Sequence, residues 1–445
     1  MRAEASDRRR VRAHVDRVRD ALADPRLQDA VAAAAEQIPG DGHPRAKVET
    51  VIPADVGRDP SSGGGPRGVP YFSRAPFVSL VQSHVDEALA EQPARGLWVR
   101  IVAAVERLLH LAPGSFTARD PDWYLGIARG VLAKLAGGNH DFNPYPAERE
   151  IAADARLVVV GDWGTGLPRA RDVATHMQEE VRAALAAGRQ VHVIHLGDVY
   201  YSGLDSEDRD RFLAFWPVTA EQAAVGVTSW SLNGNHDMYS GGFGYFATLL
   251  ADPRFAAQRS PDGAATSFFR LRSPVWDFVG LDTAWDGDVV SDGQVGVLED
   301  PQAGYVAEVA GEGRKLVLFS HHQLASVYET GDLGDTLPAK LAPVLGAGRV
   351  TAWWWGHEHR AITYEETGGV RYPRCLGNGG VPILPEPEPP AGSEPGITWR
   401  STRTVRSGGK AWRRFGFAVL DLDGDRIEVR YVDDDGTLTH TEQIV

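Results

Sequence analysis

Apolar and polar positions repeat with two different periods along the chain, and the change occurs near residue 150. Before it, apolar residues recur at helical spacing among charged ones. This spacing predicts helices over residues 11–22, 27–38, 77–89, 97–111 and 123–135, with a glycine-rich loop over residues 60–66 between the second and the third. We expect residues 1–150 to form a helical cap or oligomerisation region without a catalytic constellation.

From residue 151 onward, short apolar runs alternate with amphipathic stretches. The apolar runs predict strands over residues 156–160, 191–196, 226–232, 315–319 and 350–355. Helical patterns between them cover residues 169–187, 205–216, 297–309 and 336–345. Antiparallel pairs are predicted for residues 267–271 with 275–281, 362–366 with 370–374, and 415–420 with 426–432. Strands that alternate with helices predict an α/β fold with a sheet buried between helical layers.

These patterns divide the chain into four parts. Residues 1–150 form the helical region, and residues 151–383 form the main domain. Residues 384–410 begin with alternating proline and glutamate, which predicts an extended and flexible excursion. Residues 411–445 predict a closing hairpin that completes the main domain.

Composition limits the classes of function. Of the 445 residues, 43% are hydrophobic and 24% charged, which is typical of a globular protein, and the net charge of -14 argues against a nucleic-acid-binding surface. The single cysteine, Cys375, rules out an intramolecular disulfide. The charged N-terminus lacks the apolar core of a signal peptide, and no apolar run is long enough to span a bilayer. We therefore expect a cytoplasmic protein.

Five short polar clusters follow the ends of five predicted strands. They contribute Asp162, Asp198, Asn235 with His236 and Asp237, His321 with His322, and His357 with His359. Ligands of open α/β sheets bind beyond the carboxyl ends of the strands, so these side chains are expected to meet at one edge. Oxygen and nitrogen donors suit Mn, Fe, Zn or Co. There are more donors than one ion needs, which favours two ions roughly 3.5–4 Å apart that share a carboxylate.

The order of the clusters resembles that of a known superfamily. Over residues 161–359 the chain is similar to the calcineurin-like metallophosphoesterases. The similarity lies in the order of five motifs, which are GDWG, GDVYY, GNHD, an apolar strand that ends in histidine, and GHEH. The resemblance implies an α/β sandwich of two mixed sheets flanked by helices, with four layers in the order αββα. It also implies two metal ions and the hydrolysis of phosphoric esters.

The resemblance assigns a role to each matching residue. Asp162 and His359 would bind the first ion, Asp198 would bridge both, and Asn235, His321 and His357 would bind the second. His236 would lie near the substrate phosphate, and Asp237 would orient its imidazole. His321 is preferred to His322 as the ligand because it directly follows the strand.

One departure from the commonest pattern points to a particular branch. That pattern has Asp-x-His at the first cluster, whereas Asp162 is followed by Trp163 and Gly164. Tyr201 stands three residues after Asp198, which is similar to the purple acid phosphatases, where this tyrosine binds ferric iron. The resemblance implies that Tyr201 replaces the missing histidine, although the adjacent Tyr200 could face the site instead.

The implied activity is in-line attack of a metal-bound hydroxide on a phosphate ester, with Fe, Mn or Zn as the ions and Fe at the Tyr201 position. The absence of Asp-x-His favours phosphomonoesters of small molecules or nucleotides over cyclic-nucleotide diesters, and a phosphodiesterase is the alternative. A silent binding scaffold is less favoured because the ligands and His236 are all present, and a nuclease because the chain is acidic.

The substrate expected from this activity is a small-molecule phosphate ester. Candidate substrate contacts are His322, Tyr239 and Tyr200. We expect no nucleic-acid or membrane partner, while the N-terminal helices could form a homo-oligomer.

Overall fold

A computed structural model describes residues 139–286, 296–328, 336–390, 392–407 and 410–445, together with Ser79 and Ser83. Ser79 and Ser83 are helical and fall within the helix predicted over residues 77–89. The rest of the helices predicted between residues 11 and 135 lies outside the described residues, as does the oligomerisation that was expected of them. Within the described ranges, no helix combines the length and the apolar character that crossing a bilayer requires.

Sixteen strands are present in the described part of the chain. They are β1 Ala147–Glu150, β2 Arg156–Val160, β3 Val191–His195, β4 Thr228–Ser231, β5 Phe269–Arg272, β6 Trp276–Leu281, β7 Lys315–Ser320, β8 Val350–Trp355, β9 Ala361–Tyr364, β10 Val370–Leu376, β11 Ile397–Arg400, β12 Thr404–Ser407, β13 Lys410–Arg413, β14 Gly416–Asp423, β15 Arg426–Asp433 and β16 Leu438–Ile444. All the predicted strands are found within a few residues of their expected bounds.

Helices connect most of the parallel strands. The α-helices are α1 Pro168–Ala186, α2 Asp205–Glu207, α3 Ala220–Ala224, α4 Asn235–Met238, α5 Asp300–Gly311, α6 Thr336–Lys340 and α7 Ala342–Gly346. Two π-helices cover Asp208–Leu213 and Tyr245–Leu249, and a short 3-10 helix covers Pro253–Phe255. The helix predicted over residues 336–345 is divided into α6 and α7 at Leu341.

The strands form two large mixed sheets and a separate hairpin. One sheet has eight strands in the order β1-β5-β6-β7-β8-β10-β9-β11, the other has six in the order β16-β15-β14-β2-β3-β4, and β12 pairs with β13. Strands β2, β3 and β4 are parallel, as are β6, β7 and β8. The parallel strands therefore end at the edge where the polar clusters follow.

Alternation along the strands explains how the two sheets pack. In β2, Leu157 and Val159 enter the core between the sheets, whereas Val158 and Val160 face the core under α1. In β8, Trp354 points into the central core and Trp353 into the core under α5 and α7. Successive side chains of a strand point to opposite faces, so each sheet is buried on both sides. The result is the predicted sandwich of two sheets between two helical layers.

Three predicted boundaries need correction. Strand β1 pairs with β5, so the sandwich begins before residue 151. Residues 384–410, predicted as a flexible excursion, contain β11 and β12, and β11 pairs with β9 at a sheet edge. The predicted closing hairpin is a three-strand unit because β16 adds to β15, and β14 joins it to β2.

Candidate metal centre

Loops at the carboxyl ends of strands from both sheets converge on one buried site. Asp162 follows β2 and Asp198 follows β3 in the six-stranded sheet, whereas His321 follows β7 in the eight-stranded sheet. The two sheets meet where His321 Nε2 lies 3.4 Å from Asp198 Oδ2, and all three side chains are buried. The predicted convergence of the clusters on one edge is thus what the fold produces.

The first set of donors consists of Asp162, Asp198, His359 and Tyr200. One ligand atom from each of the two carboxylates and from His359 lies within 4.8 Å of the others. His359 Nε2 is 3.3 Å from Asp162 Oδ1. The Tyr200 hydroxyl is 3.0 Å from Asp162 Oδ1, 3.0 Å from Asp198 Oδ2 and 2.9 Å from His359 Nε2. Four oxygen and nitrogen atoms therefore surround one point.

The second set consists of Asn235, His321 and His357, with Asp198 beside it. Asn235 Oδ1 is 2.9 Å from His321 Nε2 and 3.0 Å from His357 Nδ1, and the two nitrogens are 3.2 Å apart. His321 Nδ1 contacts the Leu196 carbonyl oxygen at 3.0 Å. A carbonyl only accepts, so Nδ1 carries a proton, and Nε2 is the ring nitrogen directed into the set.

Asp198 belongs to both sets. Its Oδ2 lies between the Tyr200 hydroxyl and His321 Nε2, while its Oδ1 accepts a hydrogen bond of 2.9 Å from the backbone amide of His236. Burial would raise the pKa of Asp198, but the imidazoles of His321 and His236 outweigh burial and hold the pKa far below its usual range. The carboxylate is therefore charged and lies between the two donor sets.

The tyrosine of the first set is Tyr200 and not the predicted Tyr201. The Tyr201 ring lies against the Arg211 guanidinium, 4.5 Å from its carbon atom, and the Tyr201 amide donates to Glu207. Both Glu207 carboxylate oxygens accept backbone hydrogen bonds from this loop, the other donors being Ser202 and Leu204. Spacing from Asp198 favoured Tyr201, whereas the path of the loop directs Tyr200 inward.

Glu207 positions the loop that carries Tyr200, and it was not among the residues predicted from the sequence. It is buried, and it fixes the loop that carries both tyrosines. The signal for it was present in the sequence, because an acidic residue at the third position of a helix commonly binds the amide that precedes the helix.

Four of the candidate ligands have left-handed backbones. The φ angles are +55° for Asp162, +76° for Asp198, +67° for His357 and +55° for His359. Residues with a Cβ rarely adopt this conformation, which costs roughly 1–2 kcal/mol each. Glycine makes room for the carboxylates: a Cβ on Gly356 would lie 2.6 Å from Asp162 Oδ2, and a Cβ on Gly234 would collide with Asp198 Oδ1.

His236 lies beside both sets, but Asp237 does not orient it as predicted. His236 Nδ1 is 2.6 Å from the Tyr201 carbonyl oxygen, so that carbonyl fixes the ring. Asp237 instead accepts backbone hydrogen bonds from Gly234, Asp198 and Val199, at 2.7, 3.0 and 3.2 Å. Its role is thus to tie the two ligand loops together.

The ionisation of this pair follows from burial. Burial lowers the pKa of His236 despite the nearby Asp198 carboxylate. Burial and Asp198 raise the pKa of Asp237 to about 8, although the Gly234 and Asp198 amides favour its charged form. His236 Nε2 is buried, has no hydrogen-bond partner among the described residues and lies 4.0 Å from Asp198 Oδ2. Among the atoms of this pair, that nitrogen is therefore the one whose hydrogen-bonding capacity is not used within the described residues.

Two of the candidate substrate contacts support ligands. The Tyr239 hydroxyl accepts a 2.6 Å hydrogen bond from Asn235 Nδ2, which directs Asn235 Oδ1 toward the histidines. His322 Nδ1 is 3.0 Å from Thr283 Oγ1, and its ring lies 4.9 Å from that of His357. Both side chains are buried, so they position neighbouring groups in the structure. The third candidate, Tyr200, is in the first donor set.

The donor sets fit a pair of metal ions. Each set contains anionic or neutral oxygens and imidazole nitrogens, and no thiolate is among them, which matches ions such as Fe, Mn or Zn. Oxygen and nitrogen atoms of the two sets lie 2.9–3.4 Å from one another, so one cation could contact several of them at once. Asp198 lies between the two sets, where one carboxylate could be shared by two ions.

Comparison with known proteins agrees with this chemistry. The model of the calcineurin-like phosphoesterase family matches residues 155–361. Tartrate-resistant acid phosphatase type 5 from Rattus norvegicus is 26% identical over 245 residues, or 50% of this chain and 71% of that protein. The same enzyme from Oryctolagus cuniculus is 25% identical over 314 residues, or 63% of this chain and 88% of that protein.

Among solved structures, a dimetal phosphatase from Danio rerio overlaps 65% of this chain and 98% of its own, with 14% identity and a TM-score of 0.42. At that TM-score the overlap says nothing about function.

Proposed function

We propose that the chain is a dinuclear phosphomonoesterase. It belongs to the calcineurin-like phosphoesterase superfamily, in its purple acid phosphatase-like branch, and is a hydrolase of phosphoric esters. Its proposed substrates are small-molecule or nucleotide phosphates. The observation that carries the proposal is the pair of donor sets that share Asp198, with a tyrosine in place of the histidine of the commonest pattern.

The residues that would hold the ions follow from the contacts. Asp162, Tyr200 and His359 would hold the first, Asn235, His321 and His357 the second, and Asp198 both. When bound, such ions supply Lewis-acid activation of water and neutralise charge on the phosphate. Iron is the proposed ion beside Tyr200, because a phenolate suits a hard, highly charged cation.

His236 is proposed as the group that meets the phosphate. Its Nδ1 proton is committed to the Tyr201 carbonyl, so Nε2 is the position that gains or loses a proton. A protonated Nε2 would donate a hydrogen bond to a phosphate oxygen and pass the proton to the leaving alcohol. Burial of the ring excludes bulk water, which strengthens the electrostatic interaction with the phosphate.

Hydrolysis of a matched pair of substrates tests the proposal. The metal-loaded protein should hydrolyse 4-nitrophenyl phosphate with a kcat/KM at least roughly 10-fold above that for bis(4-nitrophenyl) phosphate, since a dianionic monoester gains more from two cations. Release of 4-nitrophenol measures both reactions. Preference for the diester would replace the proposed function with the phosphodiesterase alternative. If a chelator that removes the metal ions leaves both activities unchanged, metal dependence is rejected.

Tyr200→Phe should abolish a visible charge-transfer band that the iron-loaded protein shows, because only the phenolate oxygen gives such a transition. Tyr201→Phe is the matched control and should keep the band, since the Tyr201 ring packs on Arg211. Absorption spectra at equal iron content measure both variants. A band that disappears in Tyr201→Phe and persists in Tyr200→Phe would return the ligand role to Tyr201.

A further inference from the structure

A cavity next to the metal centre is lined by an unusual concentration of guanidinium groups. One wall is His359, a candidate ligand of the first ion, and the cavity is further lined by Arg360, Arg400, Arg413, Arg414 and Glu386. Of the described residues that line it, four are arginines and one is a carboxylate. Such a surface attracts anions. A guanidinium group can donate two parallel hydrogen bonds to two oxygens of one phosphate or carboxylate.

Glu386 lies beside two of these arginines, Arg413 and Arg360. Its Oε2 is 3.1 Å from Arg413 Nε, and its Oε1 is 3.8 Å from Arg360 Nε. The Glu386 side chain is only 12% exposed, whereas that of Glu388, two residues later, is 81% exposed. The Glu386 carboxylate therefore points inward to the arginines, at the position where an external anion would bind.

The two remaining arginines have partners that lie outside the cavity lining. Arg400 pairs with Glu388, and Arg414 lies 2.8 Å from Asp434. Ser401 also lines the cavity, and its Oγ is buried without a hydrogen-bond partner among the described residues. A hydroxyl in that situation can donate to an anion that enters.

The segment that carries Glu386 can be displaced without loss of a strand. Residues 384–390 include four prolines, belong to no strand or helix and are mostly exposed. The cavity that remains beside Glu386 has a volume of about 10 Å³, which is room for about one water molecule. An anion can therefore bind to the arginines only if the Glu386 carboxylate leaves.

We infer that this cavity is a subsite for a second anionic group, a phosphate or a carboxylate, of a substrate whose reacting phosphate lies at the metal centre. Glu386 occupies the subsite until such a substrate displaces it. The inference rests on the proposed function and narrows its substrate class to esters that carry two anionic groups. The shared wall at His359 places the two binding regions side by side.

The test compares monophosphates and bisphosphates of linear diols from ethanediol to hexanediol as substrates of the metal-loaded, full-length protein. For at least one chain length, kcat/KM should be roughly 10-fold higher for the bisphosphate, well above the two-fold advantage of two equivalent ends. Arg413→Gln should remove this preference, whereas Glu386→Gln should increase it by about 10-fold, because the internal competitor loses its charge.

The matched control is Arg406→Gln, which removes one positive charge from an exposed position in β12, outside the cavity lining. It should leave the preference unchanged. Absence of any preference for bisphosphates, or equal effects of Arg406→Gln and Arg413→Gln, would overturn the inference. If Arg413→Gln does not fold, Glu386→Gln decides alone, and an unchanged preference in that variant rejects the subsite.

Calorimetry separates failure of the subsite from failure of the proposed function. Titration with 1,4-butanediphosphonate and with butylphosphonate should show tighter binding of the diphosphonate, and Glu386→Gln should widen the difference. A protein that does not hydrolyse 4-nitrophenyl phosphate but shows this pattern would keep the subsite and lose the phosphatase. Hydrolysis of 4-nitrophenyl phosphate together with equal binding of both phosphonates would keep the phosphatase and reject the subsite.

Discussion

His236→Ala is expected to lower kcat for 4-nitrophenyl phosphate by roughly 10²–10⁴-fold while the metal content stays unchanged. The imidazole is held by the Tyr201 carbonyl through Nδ1, and its Nε2 lies 4.0 Å from the shared carboxylate of Asp198. It therefore lies beside the donor sets, next to the position that the proposed function gives to the substrate phosphate, and it belongs to neither set. Steady-state kinetics and elemental analysis of the same preparation measure the two quantities.

His176→Ala is the control for this substitution. His176 lies on α1 and is partly exposed beside Glu179, so its loss should change neither kcat nor metal content. Full activity of His236→Ala would remove His236 from the proposed mechanism. Loss of one ion together with activity would make it a ligand.

Asp198→Asn should reduce the metal content from about two ions per chain to less than one, and activity should fall with it. The variant keeps the size of the side chain and an oxygen that can accept the His236 amide, so the fold at this loop is retained. What it removes is the negative charge that both donor sets share. Elemental analysis after exhaustive dialysis gives the content, and circular dichroism checks the fold.

Asp172→Asn removes a carboxylate from an exposed position on α1 and should leave both ions in place. Retention of two ions by Asp198→Asn would reject the bridging role of Asp198. Loss of a single ion would assign the carboxylate to one donor set alone.

The general position of the site could be predicted from the sequence because strand ends are easily recognised. Asp162, Asp198 and His321 each follow an apolar run within three residues, and the carboxyl ends of parallel strands necessarily meet at an edge. Alternating burial along β2 and β8 was equally predictable, since each strand is apolar on both faces. Local patterns are sufficient for these features.

Features that depend on contacts between distant segments could not be predicted. The choice between Tyr200 and Tyr201 depends on how Glu207 holds the loop, and spacing from Asp198 does not contain that information. Asp237 was paired with its neighbour His236, although its partners include amides almost 40 residues earlier. Strand β11 was missed because its residues become a strand only by pairing with the edge of a sheet built from other segments.

The left-handed backbone conformation of the candidate ligands lowers the stability of the fold at positions that the proposed catalysis needs. Glycine adopts positive φ without the clash that Cβ causes, so the backbone at Asp162, Asp198, His357 and His359 is one that glycine would adopt more easily. Side chains persist at all four positions at a conformational cost of roughly 1–2 kcal/mol each. Selection for thermal stability alone would therefore favour removal of the ligands. A search for stabilised variants should hold these four positions fixed, because improvement there would come at the expense of the metal centre.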